Sequence, residues 1–248
     1  MKLIISLLIG LVGFAQAAIT ATNYNDSNGD IDPGITTAGG TLDIVGMEVS
    51  NTATDINFKL TVNGDLLSTD WGKFMIGIAT GKTDGTLSGN GWGRPINLSY
   101  DNDPFAAQIV GMNYWIGSWV DAGGGSNFQS YNNTSSSWSA PGPLGGFSIT
   151  SGATSDILYS VSLTSLGLTA GDSFYFDAYS SGGGGGDSAI DSLANPNVTI
   201  STWGDSYTSY ATAAFGPGLN SYTITAIPEP SASLLLVLGA AGLLRRRR

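Results

Sequence analysis

Asp26-Ser27-Asn28-Gly29-Asp30-Ile31-Asp32 places a side-chain oxygen at every second position, carried by Asp26, Asn28, Asp30 and Asp32. Carboxylate and amide oxygens at that spacing are the ligands of a hard divalent cation such as calcium. The run is not an EF-hand loop. Ile31 stands at the sixth position, where the sharp turn needs glycine, and Thr37 at the twelfth, where a bidentate Glu closes the site. Two readings stay open, a calcium loop of another type and a polar segment with no ligand. Asp101-Asn102-Asp103 and the pair Asp187 and Asp191 are weaker oxygen clusters.

The six tryptophans are a second source of chemistry: Trp71, Trp92, Trp115, Trp119, Trp138 and Trp203. Sugar rings stack on flat aromatic faces because their C–H groups meet a π-system. Trp115 and Trp119 are an even number of residues apart, so a regular strand sends both to one sheet face, with Asn113 and Gly117. That face is either packed core or a ligand platform. Trp92 lies in Gly89-Asn90-Gly91-Trp92-Gly93-Arg94, where a sheet alone does not bury it and Arg94 is placed to bond a hydroxyl or an acidic sugar. Trp203, in Ser201-Thr202-Trp203-Gly204-Asp205, is similar. Candidate ligand-binding residues are therefore Trp92, Arg94, Trp115, Trp119 and Trp203.

Composition narrows the chemistry. The chain has no cysteine and no histidine, which excludes the usual zinc sites, Cys-His and Ser-His-Asp nucleophile systems and c-type haem attachment. Paired carboxylates can hydrolyse glycosides without either residue. However, Glu48 is the one Glu between residues 18 and 227, and no acid/base pair is identifiable. The expectation is a protein that is not an enzyme. Residues 18–227 carry four basic residues, Lys59, Lys73, Lys82 and Arg94, against eighteen acidic ones, a net charge of −14. Such a surface repels phosphate backbones, so nucleic acid is not an expected partner. It suits neutral polysaccharide, divalent cations or simple solubility.

Both ends read as export signals. Met1-Lys2, the apolar run Leu3–Phe14 and Ala15-Gln16-Ala17 have the three parts of a secretory signal peptide, residues 1–17. At the other end Ile227-Pro228-Glu229-Pro230-Ser231 leads into an apolar run, Ala232–Leu244, and then Arg245, Arg246, Arg247 and Arg248. An arginine cluster stays on the cytoplasmic side of a membrane. This three-part tail, 227–248, resembles the PEP-CTERM sorting signal of Gram-negative bacteria. The resemblance implies processing by signal peptidase and by exosortase, a membrane protease-transpeptidase reading Pro228-Glu229-Pro230. It also implies transient membrane contact through the tail, and release to the cell surface or extracellular matrix. An ordinary single-pass anchor ending in a stop-transfer cluster is the alternative.

The elements that must position these groups are strands. Between residues 18 and 226, short β-branched and aromatic runs are separated by Gly, Asn, Asp and Ser clusters, the pattern of one antiparallel all-β domain. Strands are expected over Thr41–Ser50, with Val45, Met47 and Val49 on one face, and over Ile56–Val62, with Ile56, Phe58, Leu60 and Val62 inward. Further strands are expected over Phe74–Ala79, Met112–Val120, Ile157–Leu163, Ser173–Tyr179 and Tyr222–Ala226, with a hairpin around Asn132-Asn133. Gly81–Gly93 reads as a long loop and Asp187–Leu193 as a short helical turn.

The fold expectation is a single antiparallel β-sandwich, jelly-roll or immunoglobulin-like, flanked by a signal-peptide helix and a C-terminal hydrophobic helix. Trp71–Ile78, Val161–Leu168 and Gly171–Asp177, together with Leu42-Asp43-Ile44 and Glu48-Val49, are similar to the DOMON-like and family 9 carbohydrate-binding-module sandwiches. That likeness implies haem or sugar binding. Haem held by a Met/His pair is excluded without histidine, and the sugar branch would use tryptophans. Function is then expected to be that of an exported surface or matrix protein. It is structural or exopolysaccharide-associated, or it is a carbohydrate-binding module using exposed tryptophans; a glycoside hydrolase is the third alternative.

Overall fold

Alternation decides the first sheet. In β3, Asp55–Asn63, the side chains of Ile56, Phe58, Leu60 and Val62 are buried, and the residues between them are half-buried. This is the period-2 signature of a strand with one face in a core. The computed structural model describes residues 21–35, 40–68, 71–82, 85–99, 111–197, 200–210 and 219–227. The unit described below is bounded by Thr20 and Ala226. The expected signal peptide, the motif Pro228-Glu229-Pro230, the tail and Arg245–Arg248, together with Thr37 and Asp101-Asn102-Asp103, lie outside the described residues. Among the described residues, no helix is long and apolar enough to cross a membrane.

The strands in chain order are β1 (Thr22–Asn25), β2 (Ile44–Asn51), β3, β4 (Lys73–Ala79), β5 (Ile96–Ser99), β6 (Tyr114–Trp119) and β7 (Gly125–Asn132). They continue with β8 (Ser137–Trp138), β9 (Gly146–Thr150), β10 (Thr154–Ser162), β11 (Ser173–Ser181), β12 (Asp191–Ser192), β13 (Tyr207–Tyr210) and β14 (Asn220–Thr223). One sheet has the order β1-β2-β3-β10-β9 and a second β12-β11-β4-β6-β7-β8, with β14 also on β11. Pairing within both is antiparallel. The exception to the antiparallel expectation is a separate parallel pair, β5 with β13.

Aromatic side chains join the two sheets. Phe58 of β3 meets Phe174 and Phe176 of β11 edge-on, at 6.1 and 5.8 Å between ring centroids, and Tyr24 of β1 meets Phe176 at 5.1 Å. The Tyr159 hydroxyl of β10 shares a hydrogen bond of 2.7 Å with Ser118 Oγ of β6, so a buried polar pair sits satisfied inside the apolar layer. Full burial of each large side chain here stabilises by about 1.5–3 kcal/mol.

Three local readings need correction. Val45 does not share the face of Met47 and Val49: the register shifts between Ile44 and Gly46, leaving Val45 as a bulge residue, and Ile44 is buried instead. Asp187–Leu193 is not a helical turn, because Asp191–Ser192 pairs with Tyr179–Ser180 as a short edge strand. The expected strand Tyr222–Ala226 occurs two residues earlier, at Asn220–Thr223.

The alternation of β6 has a consequence for the tryptophans. Ser118 reaches Tyr159, so that side of β6 faces the first sheet. Trp115, Gly117 and Trp119 therefore point to the opposite side. A further layer covers this outer face. Leu98 of β5 packs over Gly77, Tyr207 of β13 meets Tyr179 at 6.1 Å, and Trp115 stacks on Tyr179 at 6.2 Å. The domain thus has a main core between its sheets and a smaller one between the second sheet and its loops.

Candidate functional site

The glycine-rich segment before β5 closes around the side chain of Asn90. Asn90 is buried, and its amide nitrogen donates to the carbonyls of Arg94 and Ile96 at 2.8 and 2.9 Å. Its amide oxygen accepts from the backbone N–H of Trp92 and of Arg94 at 3.0 and 3.3 Å. An amide has both a donor and an acceptor end, so Asn closes this loop where Asp would not. The loop delivers Trp92 onto the outer face of the second sheet. The Trp92 indole N–H donates to the Asn127 amide oxygen of β7 at 3.2 Å.

Trp92 and Trp119 lie beside each other there, 6.3 Å between centroids and inclined by 44°. Both are half-buried. With Lys73, Arg94, Asp121, Asn127 and Gly185 they line an open groove of about 370 Å³. Lys73 Nζ forms an ion pair with Asp121 and also donates to the Trp71 carbonyl at 3.3 Å. That pair, acting mainly through the Lys73 hydrogen bond, holds the Asp121 carboxyl below its ordinary pKa. Asp121 begins a tight turn in which Ala122, with φ 53°, adopts the left-handed conformation that side chains other than glycine avoid. The groove combines two aromatic walls with an ammonium, a carboxylate and an amide at its margin. Stacking surface ringed by hydroxyl-bonding groups is the chemistry of sugar recognition.

The five sequence candidates therefore divide. Trp92 and Trp119 share the groove. Trp115 is fully buried beneath Gly91, Gln129 and Trp92, with no face open to a ligand, so it supports the site from below. Arg94 lines the groove but is 4% exposed. Its guanidinium donates to Ser181 Oγ at 2.7 Å and to the Asp187 carbonyl at 3.1 Å, and stands 5.6 Å from the centre of Trp92. It braces the loop rather than reaching out. Trp203 is half-buried and meets Trp71 edge-on at 6.2 Å, apart from the Trp92–Trp119 pair.

The acidic run divides too. Asp26 and Asp30 come together with Asp191, one carboxylate oxygen from each lying within 4.8 Å of the others. Asn28 instead accepts from the Asn63 amide at 3.1 Å, and Asp32 accepts from the Gly34 N–H at 2.7 Å. Asp43 braces the segment, accepting from the Gly29 N–H at 3.1 and 3.0 Å on its two oxygens. Burial raises the Asp26 carboxyl to about 8 and the Asp30 carboxyl to about 6, assisted by neighbouring carboxylates. Burial, and then Asp26, also raises Asp191 well above the carboxylate range.

Sequence reading missed Asn90, Lys73, Asp121 and Asn127, and it set Asp191 with Asp187, whereas Asp191 meets Asp26 and Asp30 and Asp187 accepts from the Gly184 N–H at 2.8 Å. The first stands inside the glycine-rich motif, where a lone Asn between glycines signals a loop brace. The others come from distant segments, and only the sheet register brings them in. No protein-family model matches the chain, and no curated protein is significantly similar to it.

Proposed function

We propose that this chain is an exported β-sandwich protein of the cell surface or extracellular matrix, sorted through its PEP-CTERM-like tail, that binds polysaccharide in the Trp92–Trp119 groove. The observation that carries the binding part is the pairing of two half-exposed indoles with Lys73, Asp121 and Asn127 along one groove. The two facing sheets support a sandwich of jelly-roll or immunoglobulin-like type. The net charge of −14 over residues 18–227 favours a neutral over an acidic glycan. Binding without hydrolysis is the reading favoured by the groove's lining: among the described residues it has one carboxylate, Asp121, already ion-paired, whereas glycoside hydrolysis uses two.

A glycan array with the purified full-length chain, read beside tryptophan fluorescence, tests this. Retention of a neutral glycan with a fluorescence change is expected, and Trp92→Ala or Trp119→Ala should weaken it about tenfold or more, the equivalent of about 1.4 kcal/mol. Unchanged retention in both variants removes the groove. A blank array on folded protein favours a purely structural matrix role. For the tail, mass spectrometry of the surface fraction should find the protein without Arg245–Arg248; an intact C-terminus there contradicts the sorting reading.

A further inference from the structure

The carboxylates of Asp26, Asp30 and Asp191 meet where the end of β1, the loop after it and β12 come together. Three carboxylates converging away from water need compensation, by protons or by a cation. The domain's own cations do not supply it. Lys59 pairs with Glu48, Lys73 with Asp121 and Lys82 with Asp172, while Arg94 is engaged by Ser181 and the Asp187 carbonyl. Those are all four basic residues between 18 and 227.

A second observation is independent of the clustering. Asp26 Oδ2 and both Asp30 carboxylate oxygens are sealed from solvent and have no hydrogen-bond partner among the described residues. Buried polar atoms in folded proteins are almost always satisfied, and an orphaned set marks a missing ion or water. Asp191, by contrast, is 1% exposed and fixed in direction: its Oδ2 accepts from the Ile44 N–H at 2.6 Å and its Oδ1 from the Ser192 N–H at 2.8 Å. Each of those oxygens keeps a lone pair. The cluster thus has one rigid carboxylate from β12 and two unsatisfied ones from the N-terminal segment.

From this geometry we infer that Asp26, Asp30 and Asp191 hold a calcium ion that fastens the N-terminal segment to β12 and to the start of β2. The ligand set chooses the metal. Calcium takes about six to eight oxygen ligands in flexible geometry, whereas magnesium demands a near-ideal octahedron, keeps several of its waters and usually takes one or two carboxylates. Three carboxylates converge here, and the oxygens of Asp26 and Asp30 left without a partner are closed to solvent. Asp191 bonds Ile44 of β2 and belongs to the second sheet, so the ion would tie the edges of both sheets together. The spaced oxygens of Asp26 to Asp32, which suggested a loop of consecutive ligands, give way to a site assembled from two ends of the domain.

The test is calcium binding and thermal unfolding of the full-length chain after chelation, with calcium and magnesium in separate arms. At a hundredfold excess over Kd, calcium is expected to raise Tm by about 5–10 °C, and native mass spectrometry to show one bound ion. Asp26→Asn/Asp30→Asn alters the loop after β1 rather than a strand of either sheet. It should stay folded by circular dichroism, match or exceed the chelated wild type in Tm, and lose the calcium response. No bound calcium at millimolar concentration overturns the inference. So does an equal response to magnesium, or a double variant that still responds as the wild type does.

Discussion

Trp92 lies directly over Gly117: a Cβ built on Gly117 would come within 2.2 Å of the indole ring. Trp119 stands over Gly125 in the same way, also at 2.2 Å. Each indole of the groove thus sits on a glycine, Trp92 on Gly117 of β6 and Trp119 on Gly125 of β7, and the glycines set how deep the rings lie. Gly117→Ala must push Trp92 outward. A cost of about 1–3 kcal/mol is expected, as for other overpacked sites, with a loss of glycan affinity comparable to that of Trp92→Ala. Urea unfolding and affinity electrophoresis measure the two effects separately. A Gly117→Ala protein with unchanged stability would mean that the ring is free to move.

Asn90 should matter for binding although no ligand touches it. Asn90→Ala removes four hydrogen bonds from a buried loop, which costs about 2–4 kcal/mol where the backbone partners are left unsatisfied. Trp92→Ala should cost binding with a smaller stability loss. If Asn90→Ala unfolds at the wild-type urea midpoint, the loop is held by something other than its amide.

How much of this was readable beforehand follows from the range of the interactions. The alternation of Ile56, Phe58, Leu60 and Val62 is a local signal, and the strand and its inward face follow from it. The face of Trp115 and Trp119 was equally local, but its fate was not. Burial of Trp115 depends on a loop and a parallel strand pair, β5 and β13, whose short runs carry no strong pattern. Val45 misled because a bulge inserts one residue and reverses the alternation, which periodicity alone does not register. At the acidic cluster, Asp26 and Asp30 were visible as a spaced pair. Asp191 was visible only beside Asp187, because its approach to Asp26 and Asp30 is set by the edge pairing of β12 on β11.

Arg94 carries a charge in a nearly closed environment. Burial pushes its guanidinium below the ordinary value, while Asp187 acts in the opposite direction. Arg94→Met should destabilise by about 2–4 kcal/mol, because the Asp187 carbonyl and Ser181 lose their donor and Trp92 loses the cation beside it. Arg94→Lys should recover less than half of that, since both bonds come from the terminal nitrogen Nη1, which lies one atom farther from the backbone than a lysine ammonium, and the flat guanidinium beside Trp92 is lost. Urea midpoints at constant slope report the difference. Full recovery by Lys would show that charge, not geometry, is what the site requires.

Asp177 gives the domain a pH dependence of definite sign. It is fully buried under β12 and β13, accepting from Ser192 Oγ and Ser209 Oγ and from the Ala194 N–H at 2.9 Å. Burial outweighs those hydrogen bonds and raises its carboxyl to about 6, against an ordinary value of 3.8. The folded state therefore holds the proton more tightly than the unfolded chain. Its contribution is present in full below pH 3.8 and is lost as pH rises through about 6. The loss is about 2–3 kcal/mol, at about 1.4 kcal/mol for each pH unit between the unfolded and folded values. To separate it from the acidic cluster, the comparison is made in chelator on the Asp26→Asn/Asp30→Asn background, with and without Asp177→Asn. Asparagine keeps an acceptor for Ala194 and offers a donor to the two serine hydroxyls, which can rotate to accept it. The background should lose stability between about pH 4 and about pH 6, and the Asp177→Asn curve should be flatter by that amount. Parallel curves would mean that Asp177 ionises in the fold as readily as in the unfolded chain, and that its three donors offset its burial.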